Sequence, residues 1–361
     1  MRIPSLDGLR AVSIVLVLIA HLAGTSHAPD LEWTRALGDI GYLGVRTFFV
    51  ISGFLMTVLL DAEESTTGRI SVIGFLRRRA FRIAPAFGVY VGIMAAMSAL
   101  GIVTLEPRDL LMASTFTMNY HATRSWFVGH LWSLSAEAQF YVCWAVTRVI
   151  AGRTRMFHIA MVTVAAAPIA RVAIYIAIPE WRWSIGEALP TVIDSLAMGS
   201  LLATVQRTLA SNHRYVRLLR SRAFAVAPAV LLVLSGVMPH IAFSYTIGET
   251  AMNLIIALLV HRVVLFPGRG IGRLLNAPSI VALGMLSYSL YLWQQPFLNR
   301  ESLSVAAEFP FNIALAVVTA VLSYLLVERP VLRLARRIDG KRPASTAGRP
   351  PSGWIAHAAI S

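Results

Sequence analysis

The stretch LRAVSIVLVLIAHL, residues 9–22, carries Arg10 and His21 at the two ends of an apolar run. At 100° and 1.5 Å per residue, their eleven-residue spacing returns them to nearly one helix face, about 16 Å apart. A histidine placed this way can act as a general base, taking a proton from a reacting group, because imidazole titrates near neutrality. A carboxylate beside the ring would hold its tautomer and steady the imidazolium. Glu137, in another apolar run, is the candidate, so His21 and Glu137 form the candidate catalytic pair. Taken alone, His21 reads equally as a hydrogen-bonded packing residue.

Polar groups at membrane depth are costly and therefore functional candidates. Counting helix rise places His21, Glu137, Arg171, Asp194 and Gln294 in one layer. Arg171 with Asp194 reads first as a structural ion pair, and Arg46, near a span end, as a snorkelling side chain. Trp132, Ser133 and Tyr288 join Arg171, Asp194 and Gln294 as candidates for substrate binding or a structural polar layer. At the other face, Arg79 and Arg82 of RRRAFR and Arg10 offer guanidinium forks suited to phosphates. The run PGRGIG, 267–272, lacks the dinucleotide pattern and reads as a helix connector.

The elements that must position these residues follow from composition. Of 361 residues, 57% are hydrophobic and 14% charged, with mean hydropathy +0.66. Soluble domains carry about 25% charged residues, so the chain reads as one all-α, polytopic membrane domain. Apolar stretches of spanning length fall near 8–25, 40–60, 83–104, 129–149, 157–178, 187–206, 223–240, 243–263, 279–298 and 309–328. They predict about ten transmembrane helices with both termini cytoplasmic. In that arrangement 25 of the 32 basic residues are inside and 5 outside, with Arg46 and Arg171 within helices, as the positive-inside rule requires.

The net charge of +14 is therefore topological and does not point to nucleic acid. Asp7 and Arg10 crowd the first apolar core, which reads as a retained helix rather than a signal peptide. The single cysteine, Cys143, excludes an internal disulfide and a multi-cysteine metal site, and its apolar run predicts a buried, inert thiol. The membrane domain spans 1–338, and 339–361, rich in Pro, Ser, Gly and Ala, reads as a disordered cytoplasmic tail.

Six segments in order, PSLDGLRAVSIVLVLIAHL, GVRTFFVISGFLM, FLRRRAFRIAPAF, HLWSLSAEAQFYV, SYSLYLWQQPF and YLLVERP, resemble the acyltransferase 3 family of integral membrane acyltransferases. The resemblance covers nearly all of residues 4–330. It implies transfer of an acyl group, often acetyl, from acyl-coenzyme A to a hydroxyl, in the cytoplasmic (inner) membrane of a bacterium and without a metal. The implied acceptors contain sugar: envelope polysaccharide, lipopolysaccharide, peptidoglycan, lipid-linked oligosaccharides or small glycosides. The family's arginine-to-histidine spacing falls on Arg10 and His21, its WSLSxE glutamate on Glu137, and its basic motif on Arg79 and Arg82.

Two departures stand out: Ala138 where many members have a second glutamate, and Gln294 where many have histidine. They argue against a general base on the ninth helix. Larger relatives add an extracytoplasmic hydrolase-like domain, for which this chain is too short, so the expected reaction runs wholly within the membrane domain.

A transporter or flippase of a glycan or acyl-bearing substrate is the alternative, since polar midplane groups also suit a substrate path. Paired Gly/Pro-broken helices in two matching halves, which would favour it, are not evident. Intact Arg10, His21 and Glu137 argue against a catalytically dead relative. Direct transfer is favoured over an acyl-histidine because no second histidine is read in the layer of His21. Acceptor identity, acyl chain and oligomeric state, a homo-oligomer included, stay open.

Overall fold

The computed structural model describes residues 3–29, 40–237, 240–302 and 304–340. Among these residues the protein is helical throughout, without strands. The main helices are α1 (Pro4–Leu22), α2 (Ile40–Thr67), α3 (Val72–Ala99), α4 (Pro107–Ser114), α5 (Leu131–Ala177) and α6 (Leu189–Ser211). They continue with α7 (His213–Arg220), α8 (Ala227–Val237), α9 (Glu249–Leu265), α10 (Pro278–Trp293), α11 (Phe311–Ser323) and α12 (Arg329–Gly340).

Among the described residues, seven helical stretches are long and apolar enough to cross a membrane, and a pair bent by 57° would make eight. The chain is a multi-pass membrane protein. The ten expected spans map onto these helices unevenly, for local reasons. The stretches read as 129–149 and 157–178 are one helical run, Trp126–Ala177. Within it α5 alone has 47 residues, about 70 Å of rise and more than two bilayer cores. It breaks at Gly152, whose φ of 74° lies in the left-handed region that glycine tolerates. The 223–240 stretch falls on the second limb of the bent pair, Ala223–Gly236, with 238–239 outside the described residues, and the 279–298 stretch stops at Trp293 as the chain turns through Gln294, Gln295 and Pro296. Helix α12 runs to Gly340, two residues into the segment read as a tail, and 341–361 lies outside the described residues.

Two close backbone approaches set the frame. A Cβ on Gly199 of α6 would lie 2.0 Å from the Val50 carbonyl of α2, and one on Gly284 of α10 would lie 1.8 Å from the Asp7 carbonyl of α1. Small residues let membrane helices approach to this distance. Helix α1 is thereby packed between α2 and α10, and its last turn faces the end of α10. Outward-facing Ile150, Val162, Ile169 and Ile176 are exposed on α5, as a lipid-facing surface requires. Cys143 is on such a face and is exposed rather than buried, because Tyr141, Trp144 and Ala145 take the inward positions.

Candidate active site

His21 is in the last turn of α1, which ends at Leu22, three residues before the end read from the sequence; the chain then turns through Gly24 at φ 88°. It lines a cavity of about 1140 Å³ together with Trp126, His130, Trp132 and Tyr291. His21 Nδ1 is 2.8 Å from Gln294 Oε1. With a carbonyl oxygen there, Nδ1 carries the proton and the ring lone pair falls on Nε2. Trp126 meets the His21 ring edge-on, centroids 5.6 Å apart. Two reciprocal bonds fix Trp126: its Nε1 donates to the Gln295 carbonyl, and Gln295 Nε2 donates to the Trp126 carbonyl, both at 2.8 Å.

Glu137 is elsewhere. It lines a second cavity of about 90 Å³ with Arg10, Arg79, Arg82, Ser133 and Tyr288. Tyr141 donates to its carboxylate. Arg79 lies over the rings of Tyr141 (5.2 Å) and Phe75 (5.5 Å), and its buried Nη2 has no acceptor among the described residues. Arg10 is 3.8 Å from Asp7. The pairing of His21 with Glu137 expected from the sequence is thus corrected: Gln294 takes the position at Nδ1. The reason is depth. His21 ends its helix, whereas Glu137 is six residues into α5, about 9 Å of rise away from that helix end.

The two cavities adjoin. Val45 and Tyr291 line both, with Trp132 on the first side and Ser133 on the second. The Tyr291 hydroxyl pairs with Ser133 Oγ at 2.6 Å and donates to the His130 carbonyl at 2.9 Å. Tyr288 donates to the Ile83 carbonyl of α3 at 2.8 Å.

The remaining members of the expected layer form a third, solid cluster. Arg171 and Asp194 pair with no exposed side-chain surface, and Arg171 Nε donates to the Thr191 carbonyl at 2.7 Å. Arg46 does not snorkel. It is 1% exposed, paired with Glu249, 3.7 Å from Asp194, and bonded to Asn253 Oδ1 at 3.0 Å and to the Tyr42 hydroxyl at 2.8 Å. Glu249 also meets Arg171 Nε at 2.9 Å. Two guanidiniums and two carboxylates thus lock α2, α5, α6 and α9 together, and Tyr42 and Glu249 form part of the wall of the His21 cavity. Sequence reasoning missed Glu249 and His130. Glu249 falls in the stretch read as 243–263 and could have been found as an ionisable group at membrane depth. His130 opens HLWSLS, and only its place in the cavity marks it. The expectation of no second histidine near His21 is corrected by it.

Helices of spanning length thus carry a cavity lined by His21 and His130 and an adjoining pocket lined by Arg10, Arg79 and Arg82. The chain belongs to the acyltransferase 3 family, whose acyltransferase domain matches residues 3–328. A Staphylococcus aureus (strain COL) protein designated an O-acetyltransferase is 26% identical over 374 residues, covering 95% of this chain and 59% of that protein. O-acetyltransferase OatA of S. aureus strain NCTC 8325 is also 26% identical over 374 residues, covering 91% of this chain and 57% of OatA. The chain therefore spans less than two thirds of the length of these relatives. No solved structure matches it.

Proposed function

We propose that the protein is a membrane-embedded O-acyltransferase that moves an acyl group, acetyl in the simplest case, from acyl-coenzyme A to a hydroxyl of a sugar-containing acceptor. The observation that carries this reading is the adjoining of the two cavities at Val45 and Tyr291, with Arg10, Arg79 and Arg82 on one side and His21 on the other. Family membership and the O-acetyltransferase designation of its relatives support the reaction type.

In this reading the guanidiniums hold the phosphates of the donor, and Glu137, tied to Tyr141, balances their charge. The thioester arm reaches past Tyr291 toward His21, over about the 16 Å that separates Arg10 from His21 along α1. The acceptor hydroxyl loses its proton to His21 Nε2 as its oxygen bonds to the acyl carbon. The carbon–sulfur bond breaks, and the proton passes from His21 to the departing thiolate. Ester and free coenzyme A thiol are the products. A thin arm needs only side-chain movement at the partition. A transported glycan would need far more than the ~90 Å³ present, space for a few waters, and the transport alternative falls behind for that reason.

The proposal places Arg10, Arg79 and Arg82 at the cytoplasmic face of a bacterial inner membrane. Ten crossings result if α5 counts as two at Gly152, the bent pair as one and α10 as one. A reporter after residue 338 should read as cytoplasmic and one near residue 120 as extracytoplasmic; the opposite pattern overturns this orientation. The donor assignment is tested by acetyl-coenzyme A binding to the detergent-purified chain. Arg79→Gln with Arg82→Gln should weaken binding by about tenfold or more, since charge-assisted bonds contribute roughly 1.5–3 kcal/mol each. Unchanged affinity in a folded variant would remove the arginine pocket from donor recognition.

A further inference from the structure

His130 lies between the short turn Trp126–Gly129 and the start of α5 and is among the residues that line the same cavity as His21. It is 5% exposed, yet neither ring nitrogen has a hydrogen-bond partner among the described residues. The Leu292 carbonyl bears on the ring without meeting hydrogen-bond geometry. The ring is nonetheless held in place. Tyr90 packs against it edge-on, centroids 5.4 Å apart at 90°, and Tyr291 packs on it at 5.4 Å and 59°. Its backbone carbonyl accepts from the Tyr291 hydroxyl at 2.9 Å. A buried imidazole fixed by aromatic packing and short of a well-formed hydrogen bond among the described residues is costly for folding alone. Such groups call for a ligand or another explanation.

Building on the acyltransferase reading above, we propose that His130 is an acceptor-binding residue whose ring nitrogens engage hydroxyls of the sugar-containing acceptor beside His21. A neutral imidazole offers one donor and one acceptor, which matches a hydroxyl, itself both donor and acceptor, or two neighbouring hydroxyls. A phosphate or carboxylate would require charged donors instead. Of the cavity's arginines, Arg124 is already paired with Glu187 and Arg300 donates to the Ala20 carbonyl. The charged handle of the donor has its own place in the arginine pocket, so the ligand left for His130 is the acceptor.

The test is thermal melting of the full chain in detergent, titrated with methyl glucopyranoside, methyl galactopyranoside or methyl mannopyranoside, and separately with acetyl-coenzyme A. His130→Phe keeps the aromatic packing and removes both nitrogens. It should melt at or above the wild-type temperature, because an unpaired buried polar group is gone. Its midpoint concentration for at least one glycoside should rise about tenfold, the effect of losing two neutral hydrogen bonds, while its acetyl-coenzyme A response stays unchanged. His130→Gln, which retains a donor and an acceptor, should recover part of the glycoside response. A lowered melting temperature in His130→Phe would make the residue structural and overturn the proposal. So would equal glycoside responses in wild type and His130→Phe, or no wild-type response to any of the three glycosides. A wild type that responds to glycosides and not to acetyl-coenzyme A overturns the donor assignment alone.

Discussion

His21→Ala abolishes acyl transfer while acyl-coenzyme A still binds: this is the largest effect expected from the active-site geometry. A positioned general base contributes about 10²–10⁴ in rate, and the arginine pocket that would hold the donor is in a separate cavity. Gln294→Leu removes the oxygen 2.8 Å from Nδ1 and frees the ring to change tautomer, so transfer should fall roughly ten- to a hundredfold, as for other groups that orient a working histidine. Combined with His21→Ala it should add almost nothing, because Gln294 acts only through the ring. Combined with Glu137→Gln its loss should multiply, because Glu137 works in the other cavity. Near-normal turnover in His21→Ala would end the base assignment, and near-normal turnover in Gln294→Leu would remove Gln294 from it.

The second large effect is on stability. Arg171→Ala leaves Asp194 and Glu249 facing Arg46 alone in a cluster where Arg171 and Asp194 have no exposed side-chain surface. Removing one partner of a buried ion pair costs about 3–5 kcal/mol, against a total stability of roughly 5–15 kcal/mol. Little folded protein should be recovered in detergent, and what is recovered should melt far below wild type. Arg46→Met should behave similarly. Arg171→Lys keeps the charge but loses the planar fork that reaches both Asp194 and the Thr191 carbonyl, and should fall between. Replacing Arg46, Arg171, Asp194 and Glu249 together by Met and Leu should restore part of the loss, because no charge is then left unpaired. An Arg171→Ala protein that melts like wild type would show that the cluster does not hold the helices together.

What the sequence determined by itself was whatever depends on neighbours along the chain. Apolar runs announced the helices, since a bilayer demands local satisfaction of every backbone group. The eleven-residue spacing put Arg10 and His21 on one stripe of α1, and six ordered segments identified the family that matches residues 3–328. Arg10, Arg79 and Arg82 were legible as one group and do share a pocket. Arg171 with Asp194 was legible as a pair and is one.

Tertiary structure alone decided which polar groups meet across helices. Hydropathy gives depth to within a turn or two, and at that precision Glu137 and Gln294 fall in one layer with His21, of which the carboxylate alone reads as its partner. The choice was made by the approach of α1 to α10 at Gly284 and by the early end of α1 at Leu22, which lift His21 to the level of Gln294 and away from Glu137. Arg46 looked like a span-end residue until α9 brought Glu249, 203 positions on, against it. His130 lies next to an apolar run like many histidines, and only the tertiary structure brings Tyr90, Tyr291 and the His21 cavity around it. Lateral helix order rests on backbone contacts such as those at Gly199 and Gly284, and a hydropathy pattern carries no record of which helix lies alongside.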